Sequence, residues 1–443
     1  MTARKVAAAV VAIERRDPSL GPWAQAAADG LTAGEGEEIL CQALVQDFLW
    51  YRLPTKYPER AWVPMARASA VLLGELDLAR YASIARSDMT TSILEAWRAD
   101  DARGFARYQA AAEASGVKPP NTELMAWGSV MGFDEASAYA QLEEKLEAAI
   151  VGGQLKPGSS GWRTRAVSLT ERALREPAGH GDRQSWLKVI LAERQKTWVE
   201  LAHPEALRHW RGARVHELKR QSEPAEDLGS VVAPITWLLQ VCRAGIELTP
   251  SGYLPPSIMR DGVERFGWWD WPGRPRSEAD VHQLGALREA SASQGLLTRR
   301  GRWLRTSRRG IALLEDPSAL WRAVVTTIGA SDDYAAMLSE LIAHRLLDGP
   351  ALDDELEASI APVILAQGWR SGSDPVDERH VGLSIHRPLY FWRLFGLLDE
   401  VRPPWIDGHP SGPNVTSLTA VGRGAALEYL RARSTAPRTS LHT

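Results

Sequence analysis

Cysteine is nearly absent: the 443 residues include two, Cys41 and Cys242, far apart and each inside an apolar, helical pattern. Two such thiols make neither a disulfide framework nor a cysteine-based zinc site. They fit a reducing compartment, and buried structural thiols are the plain reading. Lysine is scarce too, 8 against 44 arginines, and none follows Lys219. A GC-rich coding sequence gives that bias. It matters chemically because arginine is the better bidentate ligand for phosphate and guanine. Long apolar runs are missing. The stretch 6–13 is too short to span a bilayer and leads into Glu14-Arg15-Arg16-Asp17 with no small-residue cleavage site. A cytoplasmic protein with no membrane partner is expected. A net charge of −3 points to no polyanionic partner by itself. No Walker A, GxGxxG, GxSxG or HExxH pattern occurs, so no cofactor, metal ligand or catalytic residue is assigned.

What is there is a folded, helical chain. Apolar residues make up 44% and charged residues 24%, the balance of a globular protein, and the length suits several domains. The first 220 residues read as helix after helix. Thr32-Ala33-Gly34-Glu35 is a capping-box pattern, predicting a helix through Ile39, Leu44 and Phe48 that stops before Pro54. Another is expected over 134–150, with Leu142, Leu146 and Ala149 on one stripe. Residues 151–162, with four glycines, read as a linker or exposed loop. Charge shifts along the way. Residues 1–150 hold 15 Lys/Arg against 21 Asp/Glu, a net of −6, and residues 151–225 hold 14 against 8, a net of +6. The domains expected are an all-helical one over 1–150, a basic helical segment over 151–230, two further units over 231–330 and 331–433, and a disordered tail over 434–443.

The two further units look like winged helices. After a helix ending at Gly245, residues 246–252 read as a short strand, with Thr249 as N-cap and Pro250 as first residue of a helix. Ser277 caps a second helix carrying Val281, Leu284 and Leu287. Gly295-Leu296-Leu297 then opens a hairpin around Arg300-Gly301-Arg302, and Ser307 caps a short helix over 308–314. Strand, helix, helix, hairpin is the winged-helix order. A looser copy follows, with helices over 334–347, 353–365 and 389–398, the landmark Gly396-Leu397-Leu398, and a returning strand over 415–418. Leu418 to Gly422, Leu248 to Gly252 and Thr306 to Gly310 share a hydroxyl residue that closes a strand and caps a helix, with glycine three residues later. The fold class expected is mainly α: a multi-helix N-terminal half followed by two winged-helix-like units with short β-hairpins.

The segments 248–254 and 295–314, with the helical patterns 47–53 and 80–87, resemble a group of uncharacterised actinobacterial helical proteins with a C-terminal winged-helix-like segment. The resemblance extends over most of the chain. It implies an architecture and carries no activity.

The chemistry concentrates on one hairpin. Arg299, Arg300, Arg302, Arg305, Arg308 and Arg309 lie within eleven residues that contain no acid. If Leu304 and Thr306 face inward, alternation turns Trp303 and Arg305 outward together. An aromatic flanked by arginines suits a phosphate backbone. Arg308 and Arg309 begin a helix, where cations oppose the dipole and a bound anion would relieve them. In the candidate recognition helix, 278–293, His282, Gln283 and Arg288 are the possible base readers, and Glu278, Asp280 and Glu289 would repel phosphate. Trp268, Trp269 and Trp271, in a glycine-bounded loop, either cap the core or form a platform for a protein partner. Asp377-Glu378-Arg379-His380 reads as a polar loop without a third partner for acid–base chemistry. Three functions stay open: a DNA-binding or transcription-related accessory protein gripping double-stranded DNA through the wing, a protein-interaction scaffold that binds no nucleic acid, and an enzyme with an unrecognised site.

Overall fold

The computed structural model describes residues 3–179, 183–219, 228–269, 273–326, 328, 332–401, 405–406, 409–410 and 414–439. The chain is mainly helical, with a few small antiparallel sheets. It divides into two compact units, Met1–Glu193 with Pro437–Leu441, and Arg194–Ala436. Boundaries are expected from sequence at 150, 230 and 330, yet apolar clusters run across each position.

The first unit is a succession of helices: α1 (Ala3–Arg16), α2 (Gly21–Thr32), α3 (Gln42–Asp47), a π-helical turn over Phe48–Arg52, α4 (Leu53–Lys56), α5 (Glu59–Glu75), α6 (Ala79–Ala85), α7 (Asp88–Ala99), α8 (Asp101–Ser115), α9 (Phe133–Val151), α10 (Trp162–Arg175) and α11 (Trp186–Glu200), within which the division falls. Ile13, Leu31, Phe48, Met65 and Leu72 are buried in one cluster, each contributing about 1.5–3 kcal/mol over exposure.

The helix expected to open at Thr32 does not form. Thr32 ends α2, and its hydroxyl donates backward to the Ala28 carbonyl at 2.9 Å instead of capping forward. After a 3-10 turn over Glu37–Ile39, the next α-helix begins at Gln42, and helical structure runs past Pro54 to Lys56. The π turn allows this: Leu53 N–H donates to the Phe48 carbonyl, so the missing N–H of Pro54 falls where the bonding register is already shifting. Of the two readings of 151–162, the structure gives the exposed loop and not a domain linker, with most of its residues exposed. Leu155 is fully buried with Leu146, Ala149 and Trp162, and its N–H donates to the Ala149 carbonyl at 3.0 Å. The expected disordered tail is partly ordered: Val130 N–H donates to the Arg438 carbonyl at 3.1 Å and the Ser129 hydroxyl to the Thr439 carbonyl at 3.0 Å. Residues 440–443 lie outside those described.

The second unit opens on the last turns of α11, continues with α12 (Glu205–Lys219) and then holds two copies of one arrangement. The first comprises α13 (Leu228–Val241), β1 (Ile246–Glu247), α14 (Pro256–Phe266), α15 (His282–Ser293), β2 (Leu297–Arg300) and β3 (Trp303–Thr306), followed by α16 (Arg308–Leu314) and α17 (Pro317–Val325). The second comprises α18 (Asp333–Asp348), β4 (Ala351–Leu352), α19 (Asp353–Ala366), a small hairpin of β5 (Arg370–Ser371) and β6 (Asp374–Pro375), α20 (Glu378–Leu394), β7 (Leu398–Val401), a further hairpin of β8 (Trp405–Ile406) and β9 (His409–Pro410), β10 (Val415–Leu418) and α21 (Ala420–Thr435). The three-stranded sheets have matching orders, β1-β3-β2 and β4-β10-β7, all antiparallel.

The copies share their joints as well. Ser307 N–H donates to the Leu296 carbonyl at 2.8 Å, and Thr419 N–H to the Leu397 carbonyl at 3.1 Å. Each hydroxyl donates to the preceding glycine carbonyl, Gly295 or Gly396, and accepts the N–H of Gly310 or Gly422 at 2.9 Å. Leu248 to Gly252 is not a third instance. Thr249 accepts the Tyr253 N–H on its hydroxyl at 3.0 Å and the Gly252 N–H on its carbonyl at 2.8 Å, so it closes a turn with Gly252 at φ +80°. The helix begins later, at Pro256, with Pro255 as N-cap. The third helix of the second copy also differs from expectation. It starts at Glu378, because Asp377 accepts the His380 N–H at 2.7 Å and caps it, so 377–380 is a helix start and not a loop.

Candidate functional site

Gly301, at φ +62°, makes the turn between β2 and β3. The register pairs Arg300 with Trp303, Arg299 with Leu304 and Thr298 with Arg305. Leu304 and Thr306 face inward, and the Thr306 hydroxyl donates to the Leu239 carbonyl at 2.5 Å. Trp303 and Arg305 therefore face outward together. Trp303 is 47% exposed, and the Arg305 guanidinium lies 5.9 Å from its ring centre. On the other side of β3, Glu247 is the register partner of Trp303. Arg302 pairs with that carboxylate at 3.2 Å and donates from Nε to the Leu248 carbonyl at 3.1 Å. Arg299 donates to the Gly301 carbonyl at 3.0 Å. Arg300, Arg305, Arg308 and Arg309 are exposed and have no acidic partner among the described residues.

The helix expected to read bases is less available. A single turn, Glu278–Asp280, precedes α15, and Ser277 and Asp280 form a capping box. His282 is exposed and Gln283 half-buried. Arg288 points into the fold: it pairs with Glu278 at 3.0 Å and donates to the Gly252 carbonyl at 2.8 Å. Glu278 is 2% exposed and accepts the Leu254 N–H at 2.6 Å. Burial pushes its carboxyl above the usual range, against the pull of that N–H and of Arg288. α15 also packs on α20, the equivalent helix of the second copy, where Arg387 pairs with Glu289 at 2.6 Å.

The tryptophan loop is divided. Trp268 is in the core, stacked on Phe266 at 4.7 Å and edge-on to Trp237, so it is not on a partner surface. Trp269 is half-buried against the core and donates from Nε1 to the Gly273 carbonyl at 3.0 Å. Trp271 lies outside the described residues. Apolar area on that scale is rarely left in water, which explains the placement.

One buried polar cluster went unread in the sequence. Glu340 of α18, fully buried, accepts from Arg211 of α12 at 2.7 Å and from Arg433 of α21 at 3.2 Å. His344 lies one turn on, against Trp198 and Trp210, and neither ring nitrogen has a hydrogen-bond partner among the described residues. Arg214 pairs with Glu217 and Asp348. These contacts fasten α12 to α18 and α21. The spacing of Glu340 and His344 on an apolar helix was the signal that could have found them. Among the described residues, no group of His, Cys, Asp and Glu could hold a metal ion, and no helix is long and apolar enough to cross a membrane. The chain matches no family model, no curated protein and no solved structure.

Proposed function

We propose that this is a nucleic-acid-binding protein of winged-helix type that grips phosphates through the β2–β3 hairpin and the start of α16. The observation that carries this is the exposure of Arg300, Arg305, Arg308 and Arg309 without acidic partners. Guanidiniums free of internal ion pairs are available to phosphate oxygens, and such contacts are independent of sequence. The element order and the sheet order of each copy support the winged-helix assignment. Base reading by α15 is left to His282 and Gln283, because Arg288 holds the fold. A titration against nucleic acid at rising salt tests the reading. Affinity should fall log-linearly, and each wing arginine changed to alanine should reduce the slope by about 1. No binding at low salt would sink it. The rival reading, a protein-interaction scaffold, is favoured by one observation: α20 covers part of the helix that a major-groove reader needs.

A further inference from the structure

Resting on that reading, we propose that the outer face of the β1-β3-β2 sheet takes unpaired nucleotides, with a base stacked on Trp303. The ring stands on the central strand, at the middle of the sheet face. Arg300 is its cross-strand neighbour on β2, and Arg305 follows two residues along β3 on the same face. Glu247, the one acid in the three strands, is paired with Arg302 and so presents little bare negative charge to a phosphate. The ring is therefore flanked by guanidiniums able to hold the phosphates on either side of a stacked base.

A duplex cannot use this arrangement fully. Its base faces are already stacked on one another, and it offers a protein only edges and backbone. A single strand offers base faces and backbone together, which is what an aromatic on a basic sheet face accepts. The restricted α15 points the same way. A partner recognised through base edges would need the helix, where Arg288 is engaged within the protein and α20 packs alongside.

The test is a binding titration of the full chain with a labelled oligothymidylate and with a blunt duplex of equal length. The parent should bind oligothymidylate more tightly. Trp303→Ala should weaken that binding about ten-fold or more, leave duplex affinity within about two-fold, and keep the salt slope. Trp303→Phe should retain most of the affinity. Trp303 is exposed, so unchanged thermal unfolding of both variants is expected and shows that the fold is intact. If Trp303→Ala weakens neither ligand, or both alike, while the arginine variants still weaken both, stacking is refuted and the phosphate-binding reading stands. If the parent binds neither ligand at low salt, both are overturned.

Discussion

Gly422 lies against the carbonyl oxygen of Leu397 so closely that a Cβ on the glycine would have no room. Gly310 has the same relation to the Leu296 carbonyl, where a Cβ would stand at 2.5 Å. Backbone on both sides leaves nothing flexible to yield. Gly422→Ala and Gly310→Ala are therefore expected to destabilise the protein by about 1–3 kcal/mol, Gly422→Ala the more. Gly424, in the same helix with open space around it, is the control: Gly424→Ala should be neutral or stabilising by up to about 1 kcal/mol. Denaturant unfolding of the three variants decides. Equal effects at 422 and 424 would mean that the close approach does not matter.

Arg288 gives a second prediction, because the sequence offers it as one of three possible base readers and its geometry is internal. Arg288→Ala leaves the Glu278 carboxyl buried without its cation, so it should destabilise by about 3–5 kcal/mol. Glu278 already titrates above its usual range, and losing Arg288 raises it further. An acid whose folded pKa is raised loses stability as pH rises from its unfolded value through its folded one. The defect should thus be larger at pH 8 than at pH 5. The affinity of the folded fraction for nucleic acid should not change. A loss of affinity with full stability would restore Arg288 as a reader.

Much of the second unit was legible because its signals are local. Strand alternation placed Trp303 and Arg305 outward, and the glycine–leucine–leucine landmarks placed both sheet joints. Signals that depend on which neighbour a side chain meets in the fold were not legible. Thr32 has the residues of a capping box, but its hydroxyl is already bonded backward. Leu155 turns a glycine-rich stretch into part of a core, and nothing in residues 151–162 announces the pocket that receives it. Arg288 and Arg300 are equivalent as letters. Only the carboxylate of Glu278 beside the first makes one structural and leaves the other available.

The exposed arginines of the β2–β3 hairpin and of α16 should be dispensable for stability. Arg300, Arg308 and Arg309 are exposed and have no acidic partner among the described residues, so alanine at each should change unfolding free energy by no more than about 0.5 kcal/mol. Arg302 should behave differently. It bonds the Leu248 carbonyl and pairs with Glu247, and its removal loosens the edge strand of the sheet by up to about 1 kcal/mol. Thermal unfolding of the four variants checks this. A large loss at 300, 308 or 309 would mean that these side chains hold the fold, which would weaken the case for their binding phosphate.

The Glu340 cluster makes the last prediction, which concerns acid. Burial alone would raise the Glu340 carboxyl, but Arg211 and Arg433 beside it override that and hold it at about 2. Burial lowers His344 to about 4, with Arg211 and Arg214 adding to the effect and Glu340 opposing it. Both folded values lie below the unfolded ones, 4.5 and 6.5, so in each case the unfolded chain takes the proton first. Stability should be full above pH 6.5, fall between 6.5 and 4 through His344, and fall further between 4.5 and 2 through Glu340. His344→Leu removes the first decline and also two unpaired ring nitrogens. It should stabilise the protein at every pH, with a margin that grows by up to about 3 kcal/mol on going from pH 7.5 to pH 4. Glu340→Gln should do the reverse at neutral pH, leaving Arg211 and Arg433 facing an uncharged amide at a loss of about 3–5 kcal/mol, with the steep decline below pH 4.5 abolished. Denaturant unfolding across pH separates the two. A His344→Leu margin that does not change with pH would show that the imidazole is not buried in the neutral form.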